Sequence, residues 1–370
     1  MKLVVEGTQA YRRHRGWGRY NELLLLGLHR HASEHMASSV FYHEDKSHTP
    51  LAEIFVPSSR FLVHPVETTL KCYTEIEENF HSSYIDQNFP DCDLYHSVTE
   101  FPFYSKKVPL VCTIHELTPL LFKKQFSQQF TAEFFHYVSY ATQNAVHLIC
   151  PSSRTKTDLL ENFKLDSNRI TVIPNGLKPG FKTNDRIGNF RDYFIYVGGT
   201  DKPSKNFSCF LQAFQQFLLR STDACELIVV NSEHTEQSFK RRFSMDDLAI
   251  KHITIKSDIS DKELINLYQN ATALVYPSWY EGFALPVIEA LACGCPVLCD
   301  ESLPAVQEWP VCQVIGTGVN DVEVLAESLQ DMIRHRQDNK RQAMANATNV
   351  QNMFCLERFI DAHIAVYGSV

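Results

Sequence analysis

The 370-residue chain has no apolar run long enough to cross a bilayer, no excess of positive charge and no cysteine framework of the kind that staples small secreted domains. The opening MKLVVEGTQAYRRHRG carries only a short apolar stretch before its charges. It predicts neither a signal peptide nor a membrane-spanning helix, so a cytosolic protein is expected. A formal net charge of −8 leaves nothing broadly basic to neutralise phosphates, which argues against a general nucleic-acid binder. The eleven cysteines are scattered through apolar segments and read as reduced, buried thiols. Cys293, Cys295 and Cys299 are followed by no second ligand cluster, so a helix end running into a strand explains them better than zinc. In the same compartment the sequons at Asn206, Asn270 and Asn346 are expected to stay unmodified.

What is present describes a globular α/β protein. Hydrophobic residues make up 44% and charged residues 21%, and the length is too great for one ordinary core but fits two α/β domains. Short apolar runs read as buried strands at Lys2 to Glu6, Val108 to Ile114, Val146 to Cys150, Arg169 to Pro174, Tyr193 to Val197, Glu226 to Asn231 and Lys251 to Ile255. Helices are expected over Phe130 to Ala145, Val322 to His335 and Arg341 to Tyr367. After the first strand, Arg15-Gly-Trp-Gly-Arg-Tyr20 reads as a loop opening a helix, and Gly16 and Gly18 would let backbone approach a ligand. As a dinucleotide fingerprint this loop fails, because Asn21 stands where the third glycine belongs, and a nicotinamide oxidoreductase is disfavoured. Asp91-Cys-Asp93 precedes the strand Leu94 to Ser97 and reads as a polar turn rather than a metal site.

The most informative stretch is Ala273-Leu-Val-Tyr-Pro-Ser-Trp-Tyr-Glu-Gly-Phe-Ala-Leu-Pro-Val-Ile-Glu-Ala-Leu-Ala-Cys-Gly-Cys-Pro-Val-Leu-Cys299. An apolar strand ends at Tyr276, a polar loop runs from Pro277 to Gly282, and Ala284 to Ala292 reads as a helix that tolerates Pro286 in its first turn. Gly282, Phe283, Ala284 and Leu285 would then bring free amides to a helix N-terminus, a place for an anion such as a diphosphate. Glu281 and Glu289 would repel a phosphate they touched, so their task is expected to be accepting hydrogen bonds from neutral hydroxyl groups.

This arrangement, Glu-Gly-Phe-x-Leu-Pro-x-x-Glu-Ala-x-Ala-x-Gly-x-Pro-Val, resembles the signature of the retaining nucleotide-sugar glycosyltransferases of family GT4. The resemblance implies the GT-B fold, two Rossmann-like domains facing each other across a deep cleft. It also implies that Glu281 sits against the donor sugar and Glu289 binds the ribose hydroxyls. It extends along nearly the whole chain except residues 42 to 90, where acceptor specificity is expected to reside. Thr113-Ile-His-Glu-Leu-Thr-Pro-Leu resembles the family motif whose His, here His115, contacts the donor sugar; Glu116 replaces the usual Asp. The turn of Gly16 and Gly18 resembles one in the family's cleft, and Pro151-Ser-Ser-Arg a serine motif there, although Ser152 and Ser153 are also good helix caps. Gly198 and Gly199 begin a loop in which Lys205 is the candidate cation for the donor diphosphate. The arginine usual in relatives is absent, since Gly199 and Ser204 occupy its two places, and Lys202 is the candidate replacement. Ser257, Asp258 and Ile259 match the turn that meets the base, with Ser257 in place of the usual Gly, and the helix after them would be capped by Ser260 or Asp261. Leu303-Pro-Ala-Val-Gln-Glu308 resembles the family's loop near the sugar.

The domains implied are 1–175, completed by a C-terminal helix at about 355–370, as the acceptor domain, and 176–354 as the donor domain. The activity implied is retaining, metal-independent transfer of a hexose from a nucleoside diphosphate sugar to a hydroxyl of a glycan or lipid-linked acceptor, with no cofactor, in polysaccharide or glycoconjugate synthesis. Relatives with a Lys-Asn pair, here Lys205-Asn206, often use GDP-mannose, so the resemblance leans the donor toward it. The reading leaves room for peripheral contact with the inner face of the membrane. The alternative is a non-catalytic sugar-nucleotide-binding subunit of a polysaccharide assembly complex, for which the absent arginine is the support.

Overall fold

The computed structural model describes residues 1–11, 16–31, 36–43, 51–55, 57–66, 84–184, 192–221, 225–230, 236–243, 251–309, 314–316 and 318–370. Arg15, Asn231 and much of the stretch from 42 to 90 lie outside the described residues. The chain forms two compact units, one of Met1–Gly176 with Leu356–Val370 and one of Leu177–Cys355.

The first unit is a parallel sheet in the order β3-β2-β1-β4-β5-β6-β7, with β1 Lys2–Glu6, β2 Ala37–His43, β3 Phe61–Val66, β4 Leu94–Ser97, β5 Leu110–Thr113, β6 His147–Cys150 and β7 Ile170–Val172. Strands β4 and β5 are buried along their whole length, as a sheet covered by helices on both faces requires. The order reverses between β1 and β4, and ligands in such sheets bind beyond the carboxyl ends of the strands at that point. Asp93 accepts a hydrogen bond from the backbone N–H of Lys2 (2.7 Å) beside the strand start, a polar-turn role.

The C-terminal helix Leu356–Tyr367 packs on the first helix, Gly16–Arg30, where a Cβ on Gly27 would come within 2.9 Å of Ile360. A buried polar chain ties the same helix to the strands, and one carbonyl fixes the direction of every proton in it. The carbonyl of Phe359 can only accept, so His363 Nδ1–H donates to it (2.7 Å) and Nε2 accepts from the Tyr20 hydroxyl (2.6 Å). Tyr20 oxygen then accepts from Thr113 (2.9 Å), Thr113 oxygen accepts from His96 Nε2–H (2.9 Å), and His96 Nδ1 accepts from the Tyr367 hydroxyl (2.7 Å). Burial holds both histidines neutral, His363 down to about 4 and His96 well below its ordinary value.

The second unit is a parallel sheet in the order β10-β9-β8-β11-β12-β13, with β8 Tyr193–Val197, β9 Glu226–Val230, β10 Ile253–Lys256, β11 Ala273–Tyr276, β12 Val297–Cys299 and β13 Ile315–Gly316. Its order reverses between β8 and β11. The single helix expected over Arg341 to Tyr367 is instead two, Arg336–Met353 and Leu356–Tyr367. The break falls at Phe354, whose carbonyl accepts from Leu177 N–H (2.6 Å) and whose ring packs on Phe283 and Trp309.

Candidate functional site

In the second unit two loops leave the sheet at the switch point. The first follows β8 through Gly198, whose φ of +146° only glycine adopts freely, and Gly199, whose carbonyl accepts from the Tyr196 hydroxyl (2.5 Å). It closes with a short turn at Pro203–Lys205, and Asn206 follows at φ +53°. The second follows β11 from Pro277 to Ala284. Trp279 joins the two, donating its backbone N–H to Ser204 carbonyl and its indole N–H to Pro203 carbonyl, both at 3.1 Å. Lys205 Nζ then reaches across to Glu281 Oε1 at 2.6 Å and to the Tyr276 hydroxyl at 3.3 Å. The side chains are only 20% and 8% exposed, so the pair is largely removed from water and its Coulomb attraction is screened little. Lys202, on the same loop, is exposed.

The helix after Glu281 is Leu285–Ala292, one residue shorter than expected. Ala284 is its N-cap at φ +84°, a conformation that costs an L-residue on the order of 1–3 kcal/mol and is found where surrounding structure over-determines it. Pro286 stands in the first turn. The backbone N–H groups of Phe283 and Ala284 donate to no acceptor among the described residues, whereas Phe283 carbonyl accepts from Ala305 N–H (3.0 Å). That bond draws the Leu303–Glu308 loop to this turn. Leu285 is buried with Phe283 in the core. Glu289 lies on the same helix, 3% exposed, and accepts from the Tyr268 hydroxyl at 3.4 Å.

Ser257 and Asp258 sit exposed at the end of β10, separated from β8 by β9, and Asp258 takes φ +53°. Ile259 packs its side chain on the core that includes Phe283 and Leu285. Ser260 caps the next helix by accepting from Glu263 N–H, while Asp261 pairs with Lys178 at 2.6 Å. Cys293, Cys295 and Cys299 are buried free thiols at the helix end and in β12, and burial raises the first two.

In the first unit Gly16 and Gly18 do not form a loop; they are the first turn of the helix Gly16–Arg30. Asn21, at the absent third glycine, is fully buried, donates to Glu6 carbonyl and accepts from Ala10 N–H, both at 2.9 Å. These bonds lock the turn after β1 to the helix and leave the glycines inside it. A Cβ on Gly16 would meet nothing within 4 Å, so packing does not require that glycine. The helix start lies against His115, with the Tyr20 ring edge-on at 4.8 Å and Trp17 at 6.4 Å.

His115 follows β5 and is 6% exposed. Its Nε2–H donates to Val98 carbonyl at 2.9 Å, and burial holds its pKa down to about 4. The ring is therefore neutral near pH 7 with Nδ1 unprotonated, an acceptor for a hydroxyl and not a cation. Ser152 caps the helix Ser153–Asn162 by accepting from Thr155 N–H, and Thr155 donates its hydroxyl to His115 carbonyl at 3.1 Å. The serine motif thus acts on His115 through the backbone. Glu100, which sequence reading passed over, accepts from His115 N–H at 2.5 Å; the signal was an acid just beyond the carboxyl end of β4, on the side where ligands bind.

Two family profiles match the chain: one described as Glycosyltransferase Family 4 over residues 25–181, and one described as Glycosyl transferases group 1 over residues 182–350. The O-antigen chain mannosyltransferase RfbU of Salmonella typhimurium is 30% identical over 188 residues, 50% of each chain. The MMP alpha-(1->4)-mannosyltransferase of Mycolicibacterium hassiacum is 31% identical over 152 residues, 41% of this chain and 36% of that one. The match thus spans about half the length of these curated relatives or less. Among solved structures, sucrose-phosphate synthase from Thermosynechococcus elongatus aligns at TM-score 0.76 and 16% identity, covering 100% of this chain and 98% of that one. HepE of Anabaena, solved with UDP and glucose, aligns at TM-score 0.74 and 16% identity with both chains fully covered. The fold is GT-B, and with profiles spanning residues 25–350 the chain belongs to the group 1 glycosyltransferases of family 4.

Proposed function

We propose that the protein is a retaining, metal-independent hexosyltransferase, moving a sugar from a nucleoside diphosphate to a hydroxyl of a glycan or lipid-linked acceptor in polysaccharide or glycoconjugate synthesis. The observation that carries this reading is the Lys205–Glu281 pair, held across the two switch-point loops beside the amides of Phe283 and Ala284, which have no acceptor among the described residues. A leaving diphosphate gathers negative charge as its bond to the sugar breaks. Lys205 and the helix amides supply fixed positive charge where that charge grows, the kind of contact that accelerates a reaction because it strengthens in the transition state. Glu281, freed from part of its bond to Lys205 as the diphosphate competes for the ammonium, faces the sugar as it takes on oxocarbenium character. Glu289 holds the ribose hydroxyls, Ser257, Asp258 and Ile259 meet the base, and Gly198, Gly199, Gly282 and Leu285 shape the diphosphate turn. Lys202 replaces the arginine usual in the clamp. His115 accepts from a sugar hydroxyl through Nδ1, with Gly16 and Gly18 beside it. The names of the relatives add to the weak lean toward mannose from GDP-mannose.

A thermal-shift panel with GDP, UDP, ADP and TDP sugars tests the donor, followed by release of the nucleoside diphosphate with and without simple sugar acceptors. Stabilisation by one series together with turnover unaffected by EDTA is the expected result. Binding without hydrolysis or transfer would favour a non-catalytic sugar-nucleotide-binding subunit.

A further inference from the structure

The turn after β5 has more backbone donors than the sheet can satisfy. Ile114 N–H still donates to Ile149 carbonyl on β6 at 2.9 Å, but the next two amides, of His115 and Glu116, leave the sheet with no strand opposite them. A buried amide without an acceptor is costly, so something must take them. Glu100 does. It lies just beyond β4, has no exposed surface, and its Oε1 accepts from His115 N–H at 2.5 Å and from Glu116 N–H at 3.2 Å. Its other oxygen, Oε2, is buried with no hydrogen-bond partner among the described residues. A carboxyl is an expensive way to fill a buried space unless the turn it holds matters.

The rest of His115 is held as firmly. Thr155 donates to its carbonyl at 3.1 Å, and its Nε2–H donates to Val98 carbonyl at 2.9 Å. N–H and Nε2–H are thus both tied to the segment just beyond β4, at Glu100 and Val98, and C=O to the helix Ser153–Asn162, so that among the described residues Nδ1 is the polar atom of His115 left over. We propose that Glu100 is a positioning residue that clamps the β5 turn so that His115 presents Nδ1 in a single orientation to a substrate hydroxyl. This rests on the reading of His115 as a substrate contact. Glu100 does not touch substrate; it acts through His115. Burial pushes its pKa up to about 8, with Glu116 adding to the rise and the thiols of Cys112 and Cys150 near it, so close to neutral pH it is mostly a neutral acid whose carbonyl oxygen receives both amides. Gln supplies the same carbonyl oxygen.

The test measures kcat and donor KM with whichever of the GDP, UDP, ADP and TDP sugars stabilises the full chain most. Glu100→Ala should lower kcat at least tenfold and leave donor KM and calorimetric binding of the nucleoside diphosphate within about twofold. Glu100→Gln should stay within about threefold of the parent. In a His115→Ala background, Glu100→Ala should cost less than about twofold more, because the group it positions is gone; a purely structural role would cost the same in both backgrounds. Should Glu100→Ala fail to fold, Glu100→Asp, one methylene shorter, enters the same cycle with the same expectation of non-additivity. Equal losses in both backgrounds, or a folded Glu100→Ala enzyme within threefold of the parent while His115→Ala is impaired, would overturn the proposal alone. A His115→Ala enzyme as active as the parent would overturn the reading of His115 and the proposal with it.

Discussion

The polar groups gathered at the carboxyl ends of the two sheets differ in their electrostatics. In the second, the central contact is a largely buried ion pair on two loops, Lys205 with Glu281. In the first, the polar groups are buried and neutral: His115 and His363 are held down to about 4, and Glu100 is pushed up to about 8. The difference fits what the proposed function asks of each half. A leaving diphosphate is met best by positive charge, and a charge this little exposed is sustained by its pairing and hydrogen bonds, as Lys205 is by Glu281 and Tyr276. Neutral hydroxyls are discriminated by fixed acceptors and donors, and burial fixes them best.

The largest effect is expected at Lys205. Lys205→Ala should reduce kcat about a hundredfold, roughly 2.7 kcal/mol of transition-state stabilisation, with folding intact. Its effect should shrink when Glu281 is also replaced, because the two share one hydrogen bond. Steady-state kinetics on the folded variants decides this, and activity within about threefold of the parent would remove Lys205 from the clamp.

Acid should separate the units next. For His115 and His363 the folded pKa lies below the ordinary 6.5, so the neutral ring is favoured by folding. Their contribution is complete above about 6.5 and is lost as pH falls toward 4, on the order of 3 kcal/mol for each histidine. Glu100 has the opposite sign, its contribution being lost as pH rises from about 4.5 toward 8. Melting followed at pH 7, 5.5 and 4.5 should show the first unit losing stability ahead of the second, because His115, His363 and the equally buried His96 together outweigh the single opposing Glu100. Equal losses in both units would contradict the burial argument.

A smaller effect is expected at Lys202. If it replaces the absent arginine, Lys202→Ala should cost about tenfold in kcat/KM, roughly 1.4 kcal/mol. Because the side chain is exposed, that loss should fade as salt is raised, whereas the loss from Lys205→Ala should not. A loss under threefold at low salt would leave the second unit with a single clamp cation.

Local pattern made the strand Ala273–Tyr276, the polar loop after it and the helix carrying Glu289 legible in the sequence, because a buried parallel strand is a near-continuous apolar run and Leu285-Pro286 marks a helix start. Gly16 and Gly18 were misplaced in a loop, because glycine-rich sequence says nothing of the buried Asn21 that ties the helix to β1. The break at Phe354 is set by Leu177, Phe283 and Trp309, all distant in sequence. Glu100 and Thr155, which act through the His115 backbone, belong to no local motif with it, because their partners are 15 and 40 residues away; the position of Glu100 just beyond β4 is the one signal the sequence offers. Reading Lys205 and Glu281 as separate groups missed that they share a hydrogen bond 76 residues apart.

In the proposed mechanism the second unit divides its labour, Glu289 holding the nucleotide and Glu281 the reacting sugar with Lys205. Calorimetry of nucleoside diphosphate binding to Glu281→Gln and Glu289→Gln tests it without knowledge of the acceptor. The account predicts that Glu281→Gln binds at least as tightly as the parent, since Lys205 is released toward the diphosphate, while its kcat falls; Glu289→Gln should bind more weakly and chiefly raise the donor's KM. Binding that collapses in Glu281→Gln and survives in Glu289→Gln would reverse the two roles and contradict the account.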